Sequence, residues 1–201
     1  SGKPPRCEGC DALERHRALR RLMEWLPAAA LSWRRGLQFS RDPSLRPEWF
    51  RSFEVSVYNG ANSLDLTRLD RADASYDFVS LNMVLEFIPD AKTAFAELMR
   101  ILAPDGILQI GFSHAEGRDV TIDYGVEQGE YGRGQGYFHL FGRDLAGYFE
   151  LSRLGGSCVV LSESDAATGV ATDFHFFAKG KAATAALAAA VGQMRALMND
   201  A

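Results

Sequence analysis

The stretch Phe138-His139-Leu140-Phe141-Gly142-Arg143-Asp144 sets a histidine and an arginine four residues apart. An imidazole can take up a proton near neutral pH, and a guanidinium can grip a carboxylate or phosphate through two parallel hydrogen bonds. His139 and Arg143 are therefore the first candidates for catalytic groups on the substrate side. His114 is a second candidate base, against a reading as a plain loop histidine. Cys7 and Cys10 have the spacing of half a zinc site, but a structural zinc takes four ligands. His16 and Cys158 could add to the pair, yet an unmetallated pair is the plainer reading, so no metal is expected. Gly132-Arg133-Gly134-Gln135-Gly136 imitates a dinucleotide-binding glycine pattern without following a strand or opening a helix, and reads as a flexible lid.

Such groups need a scaffold, and the composition permits one. The chain has 201 residues, 47% of them hydrophobic and 24% charged, which suits one compact domain with a full core. A net charge of −4 offers no electrostatic footprint for a nucleic-acid backbone or an anionic membrane, so a small-molecule or protein substrate fits better, and a small molecule is expected. No apolar run approaches the roughly 18 residues of a membrane span, and the start lacks the layout of a signal peptide. The expectation is a cytoplasmic protein without a membrane partner. Three cysteines do not describe a secreted disulfide framework.

The apolar periodicity predicts a helix over 11–26, a short buried strand at Leu37-Gln38-Phe39, a short helix over 44–53 and a strand at 55–58. Tyr76 to Leu81 is apolar on both faces, as a strand buried between two helical layers is. Asp90 stands as the N-cap of a helix that ends at Pro104-Asp105-Gly106, and Ile107 to Phe112 follows as another buried strand. Residues 113–140 are too long for an ordinary connection and suit a lid or substrate loop. A helix over 140–154 and two strands near 158–161 and 174–178, paired antiparallel, complete the domain. The pattern predicts an α/β fold, Rossmann-like and doubly wound, with a mostly parallel sheet and an antiparallel edge pair. It divides into a Cys-pair segment and helix (1–36), the main domain (37–180) and an Ala-rich helix (181–201). That last helix packs on the domain or pairs two copies in a homodimer; packing is the plainer reading.

Within this frame, Tyr76-Asp77-Phe78-Val79, Asn82-Met83-Val84-Leu85-Glu86-Phe87-Ile88-Pro89-Asp90 and Glu97-Leu98-Met99-Arg100-Ile101-Leu102-Ala103-Pro104-Asp105-Gly106 resemble the middle of class I S-adenosylmethionine-dependent methyltransferases. A narrower resemblance lies in Cys7-Glu8-Gly9-Cys10-Asp11-Ala12-Leu13-Glu14-Arg15-His16-Arg17, similar to the opening "C-x-x-C-G-S-L-E-R-H-R" of one bacterial subgroup, and in 138–144, similar to its "H-x-R-x-Y-G-x-D". The similarity spans about residues 7 to 150.

The resemblance implies S-adenosylmethionine as cofactor, and methyl transfer to an oxygen or nitrogen of a small metabolite or sugar-type molecule. It implies cofactor contacts at the carboxyl ends of the first strands, where strand order reverses. Phe39, Ser40 and Asp42 fall at the first strand's end, Tyr58 and Asn59 at the second's, and Asn82 at the central strand's. Asp65 and Leu66 occupy the segment beside the adenine. Glu86 is a catalytic candidate, or a structural acid at a helix start. Glu14-Arg15-His16-Arg17 reads as a solvated helix face, or as a cover for the cofactor crevice. Departures from the pattern are the missing glycine-rich turn, the missing acid after the second strand, and Phe87 in place of histidine. They motivate the alternative function, a binding or scaffold domain that keeps the fold and has lost the cofactor.

Overall fold

A computed structural model describes residues 6–60, 62–112, 117–125, 127, 129–131 and 135–199. In chain order the elements are α1 (Glu14–Glu24), β1 (Arg35–Phe39), β2 (Ser52–Ser56), β3 (Tyr76–Asn82), α2 (Ala91–Ile101), β4 (Leu102–Gly111), β5 (Ile122–Asp123), β6 (Gly129–Tyr131), β7 (Gln135–Tyr137), β8 (His139–Leu140), α3 (Leu145–Tyr148), β9 (Gly156–Ser164), β10 (Ala171–Lys179) and α4 (Ala182–Asn199). Single 3-10 turns lie at Ala28–Ala30, Pro47–Trp49 and Leu85–Phe87.

Six strands form one sheet in the order β2-β1-β3-β4-β10-β9. β1 runs parallel to both β2 and β3, and β3 runs parallel to β4. β10 is antiparallel to β4 and to β9. This is the mostly parallel, doubly wound sheet with an antiparallel edge pair that the sequence predicts. The chain leaves β1 toward β2 and then crosses back to β3, so strand order reverses between β1 and β3 and their carboxyl ends border a crevice.

Alternation along the strands sends side chains to two cores. Leu37, Val79, Leu81, Leu108 and Ile110 pack with Phe95 and Leu98 of α2 on one face. Phe78, Ile107, Phe174 and Phe176 pack with Leu19 and Leu22 of α1 and Leu187 and Val191 of α4 on the other. α4 therefore spends its apolar stripe, through Val191, on its own sheet. The amino edge of the sheet is closed by Arg35, whose backbone N–H and guanidinium both bond the Asp77 carboxylate at 2.9–3.0 Å. The acid of the Tyr76-Asp77 motif is thus a strand clamp at the end of the sheet opposite the crevice.

The helical stripe over 91–101 forms as predicted, and Asp90 Oδ1 accepts the Thr93 N–H at 3.0 Å as its N-cap. Asp90→Ala is expected to cost about 1 kcal/mol, read as a lower urea midpoint with an unchanged slope. Helix gives way to strand at Leu102, ahead of the expected end at Pro104-Asp105-Gly106, and Gly106 lies so close to Leu102 that a Cβ there would meet its Cγ at 2.7 Å. Other expected boundaries move as well. β2 ends at Ser56, two residues before the expected strand end at Tyr58, and the helix expected over 44–53 is only the turn Pro47–Trp49. The helix expected over 140–154 shortens to Leu145–Tyr148. There Gly142 passes so close to Val120 that a Cβ would meet its backbone at 2.5 Å, and Asp144 Oδ1 takes the N–H and hydroxyl of Thr121. These bonds bind the chain to the 117–125 segment before a helix can start. Among the described residues no helix is long and apolar enough to cross a membrane.

Candidate active site

Three strands carry a polar residue in an apolar triplet: Gln38 in β1, Ser80 in β3 and Gln109 in β4. Parallel register puts all three in one row on the α1 face, since Gln38 pairs with Ser80 and Ser80 with Gln109. Being buried, each needs a partner, and Gln38 Nε2 turns to the Asp42 carbonyl at 3.5 Å. Ser80 Oγ donates to Gln109 Oε1 at 2.6 Å, and Gln109 Nε2 donates to Asn82 Oδ1 at 3.0 Å. Asn82 Nδ2 then reaches the Asp42 carboxylate at 3.0 Å, whose other oxygen takes the backbone N–H and hydroxyl of Ser44. A chain of hydrogen bonds therefore leads from the sheet interior to the crevice and fixes Asp42 and Asn82 at its floor. Gly111, the partner of Asn82 in β4, leaves room for that side chain; a Cβ would sit 2.4 Å from Asn82 Oδ1.

α1 runs along one wall. Its residues His16, Arg20 and Glu24 recur every four positions and face the segment that follows β1: Arg20 donates to the Pro43 carbonyl, and Glu24 pairs with Arg46 at 3.7 Å. One step around the helix, Arg17 forms a bidentate pair with Asp165 at 2.8 Å. Arg15 projects from the same first turn into the field of Glu14, Asp42 and Glu86, and burial lowers its affinity for a proton. His16 Nδ1 accepts the Leu13 N–H at 3.2 Å, so its proton sits on Nε2, and burial keeps the ring neutral. The run 14–17 is thus half-buried, on a helix bonded to Asp165 and to the segment after β1, rather than a fully solvated face.

Of the expected cofactor residues, Ser40 and Asp42 follow the end of β1, and Asn82 at the end of β3 bonds Asp42. Ser40 takes a left-handed φ of 66° that turns the chain out of β1, and its N–H bonds the Ser56 carbonyl. Phe39 differs: its ring is 4% exposed and belongs to the α2-side core, so only its backbone borders the crevice. Tyr58 and Asn59 lie beyond β2, with the Tyr58 ring 87% exposed and Asn59 at a φ of 56°. Asp65 turns inward on its own loop, accepting the Thr67 N–H at 2.8 Å and hydroxyl at 2.7 Å, which holds its carboxyl below the ordinary range. Leu66 is buried in the core. That loop is held from behind by Arg71, bonded to Glu54 and Tyr76, and by Arg100, bonded to Glu97, Asp73 and the Leu69 carbonyl.

The expected catalytic groups are placed differently. Glu86 is fully buried in the turn after β3, with its backbone carbonyl taking the Phe138 N–H. His139 is 1% exposed. Its Nε2 lies 2.9 Å from the Ile88 carbonyl, which can only accept, and its Nδ1 faces the Tyr148 hydroxyl at 3.1 Å and Asp123 at 3.5 Å. With both nitrogens engaged, His139 joins the 117–125 segment to the loop before α2, which corrects the expectation of an accessible base. Arg143 is exposed and pairs loosely with Asp119 at 3.3 Å. His114 and residues 132–134 of the glycine pattern lie outside the described residues. Among the described residues no three His, Cys, Asp or Glu side chains are grouped to hold a metal, and burial pushes the Cys158 thiol up to about 12.

A family model described as a methyltransferase domain matches residues 54–110, from β2 through β4. The 1,6-didemethyltoxoflavin-N1-methyltransferase of Burkholderia thailandensis, solved with 1,6-didemethyltoxoflavin and S-adenosylhomocysteine, superposes with a TM-score of 0.52 at 15% identity, over 82% of this chain and 79% of that one. The chain has the methyltransferase fold. A chain of the complex between the Haloferax volcanii Trm112 methyltransferase activator and its methyltransferase partner gives a TM-score of 0.51 at 11% identity, covering 84% and 90%. No curated protein sequence matches. In methyltransferase terms the matched stretch holds Asn82, Glu86, Asp65 and Leu66, while α1, Ser40 and Asp42 lie ahead of it.

Proposed function

We propose that this protein is an S-adenosylmethionine-dependent methyltransferase that acts on an oxygen or nitrogen of a small metabolite or sugar-type molecule. The observation that carries the proposal is the Asp42–Asn82 pair, held at the β1/β3 reversal point by a buried hydrogen-bond chain. A fold alone would tolerate apolar residues there. Burying Gln38, Ser80 and Gln109 in a row costs desolvation that a merely structural sheet avoids. When bound, the cofactor supplies an electrophilic methyl on a sulfonium.

The chain's own contribution is binding and placement. Ser40, Asp42 and Asn82 form the crevice floor, and the exposed Tyr58 ring stands where an acid is usual after the second strand. Phe87, 40% exposed, packs at a tilt against Tyr137 at 4.7 Å and offers an apolar wall to an acceptor on the β7 side. Arg143, exposed and paired only loosely with Asp119, orients an anionic acceptor, and His139 fixes the segment that carries it. Methyl transfer needs the acceptor held in line, about 3 Å from the methyl, more than it needs a strong base.

Calorimetric titration with S-adenosylmethionine and S-adenosylhomocysteine tests the reading. Saturable binding of either supports it, and no heat at millimolar ligand would leave the scaffold reading standing. Asn82→Leu strips partners from Asp42 and Gln109 together. It is expected to weaken cofactor binding by roughly ten- to a hundredfold, the cost of leaving buried polar groups unmet.

A further inference from the structure

The crevice has a roof whose polar needs are unmet. Arg20 and Glu24 tie α1 to the segment after β1, and Arg17 ties its first turn to Asp165, so the Glu14-Arg15 turn is held in place from two sides. In that turn, the Arg15 Nε and the Glu14 Oε2 are both shielded from solvent, and neither has a hydrogen-bond partner. One is a cationic donor and the other an anionic acceptor. Leaving each unmet is costly, and native proteins keep such defects chiefly where something else completes them.

The two needs are opposite in sign and come from adjacent residues. A group bearing a carboxylate and an ammonium on one carbon meets both at once, the carboxylate on the guanidinium edge and the ammonium on the carboxylate. We infer that Arg15 and Glu14 hold the α-amino-acid end of S-adenosylmethionine from above the crevice. This rests on the methyltransferase reading and adds to it where that end is gripped. The wider charge agrees. The carboxylates of Glu14, Asp42 and Glu86 outnumber the guanidiniums of Arg15 and Arg6 beside His16, which suits a ligand that also carries a sulfonium.

The arrangement also accounts for the missing glycine-rich turn. At the end of β1 the Phe39 ring points into the core and the Ser40 N–H is taken by Ser56, so that turn offers little to a carboxylate. The grip moves to the helix that crosses it.

The test compares S-adenosylhomocysteine with 5′-methylthioadenosine, which has the same nucleoside and sulfur but no amino-acid end, by calorimetry on the full chain. Wild type should bind S-adenosylhomocysteine the more tightly. Arg15→Gln should weaken it by roughly ten- to a hundredfold, and Glu14→Gln by a similar factor, while 5′-methylthioadenosine changes by less than about twofold. Arg15→Lys, which keeps the charge without the fork, should fall between. Equal affinity of wild type for the two ligands would overturn the inference. So would variants that keep the wild-type ratio, or that weaken both ligands alike; each of these leaves the methyltransferase reading intact. Binding of neither ligand to folded wild type would remove both.

Discussion

Asp165→Ala is expected to destabilise the protein by about 3–5 kcal/mol, because it leaves a partly buried guanidinium without its counter-ion. Asp165 is 2% exposed and accepts both arms of Arg17 at 2.8 Å. The same carboxylate takes the Thr168 N–H at 3.1 Å and hydroxyl at 2.8 Å, shaping the turn between β9 and β10. Arg17 is a quarter exposed and can regain some water, so the lower end of that range is favoured. Urea unfolding measures it, and a loss under about 1 kcal/mol would mean that the pair is no more than a surface contact.

The same pair fixes a pH dependence. Arg17 first, and Thr168 after it, hold the Asp165 carboxyl far below its ordinary range. A depressed folded pKa stabilises above the unfolded value near 4, and that contribution is lost as pH falls below it. The stability gap between wild type and Asp165→Ala should therefore be constant from about pH 5 upward and narrow in acid. Because α1 carries Arg15 and His16 over the crevice, the variant should also bind cofactor more weakly than its stability loss alone explains.

Phe95→Ala is expected to cost about 3–5 kcal/mol, through lost transfer energy and the cavity left behind. Phe95 is fully buried in α2, stacks on Phe149 at 4.2 Å and meets Phe177 edge-on at 5.1 Å. Phe149 continues through Phe141 to the His139 and Tyr148 rings, so the cavity should also loosen the segment that Phe141 and Tyr148 back. Denaturant unfolding gives the total cost. Amide exchange at 139–149 should rise above that of the β1–β3 ladder, and uniform change across both would show that the aromatic chain carries no local coupling. Phe95→Leu, which refills most of the volume, should cost well under half as much.

What could be read from residue order alone was whatever depends on near neighbours. Alternation of apolar stretches with periods of two and 3.6 residues gave the parallel sheet and the antiparallel edge. Asp90 before its helix, and Asn82 and Asp42 at strand ends, were legible because a cap or a strand terminus is defined by a few consecutive residues. Register was not legible. Gln38, Ser80 and Gln109 each look like an isolated polar residue until pairing lines them up, although a polar residue at the centre of three buried triplets is a signal that a reader could use.

Burial of single side chains was decided in three dimensions as well. His139 and Asp65 have the residue types for chemistry, yet packing gives His139 to the Ile88 carbonyl and Tyr148, and Asp65 to its own turn. Arg15 runs the other way. A charged helix residue reads as solvated until the helix is laid over the crevice, and only contacts between α1, the loop after β1 and Asp165 do that. Local sequence determined the six strands of the main sheet and the helices α1, α2 and α4. The long-range ion pairs and the lateral register of the sheet determined which of their polar atoms are left facing a ligand.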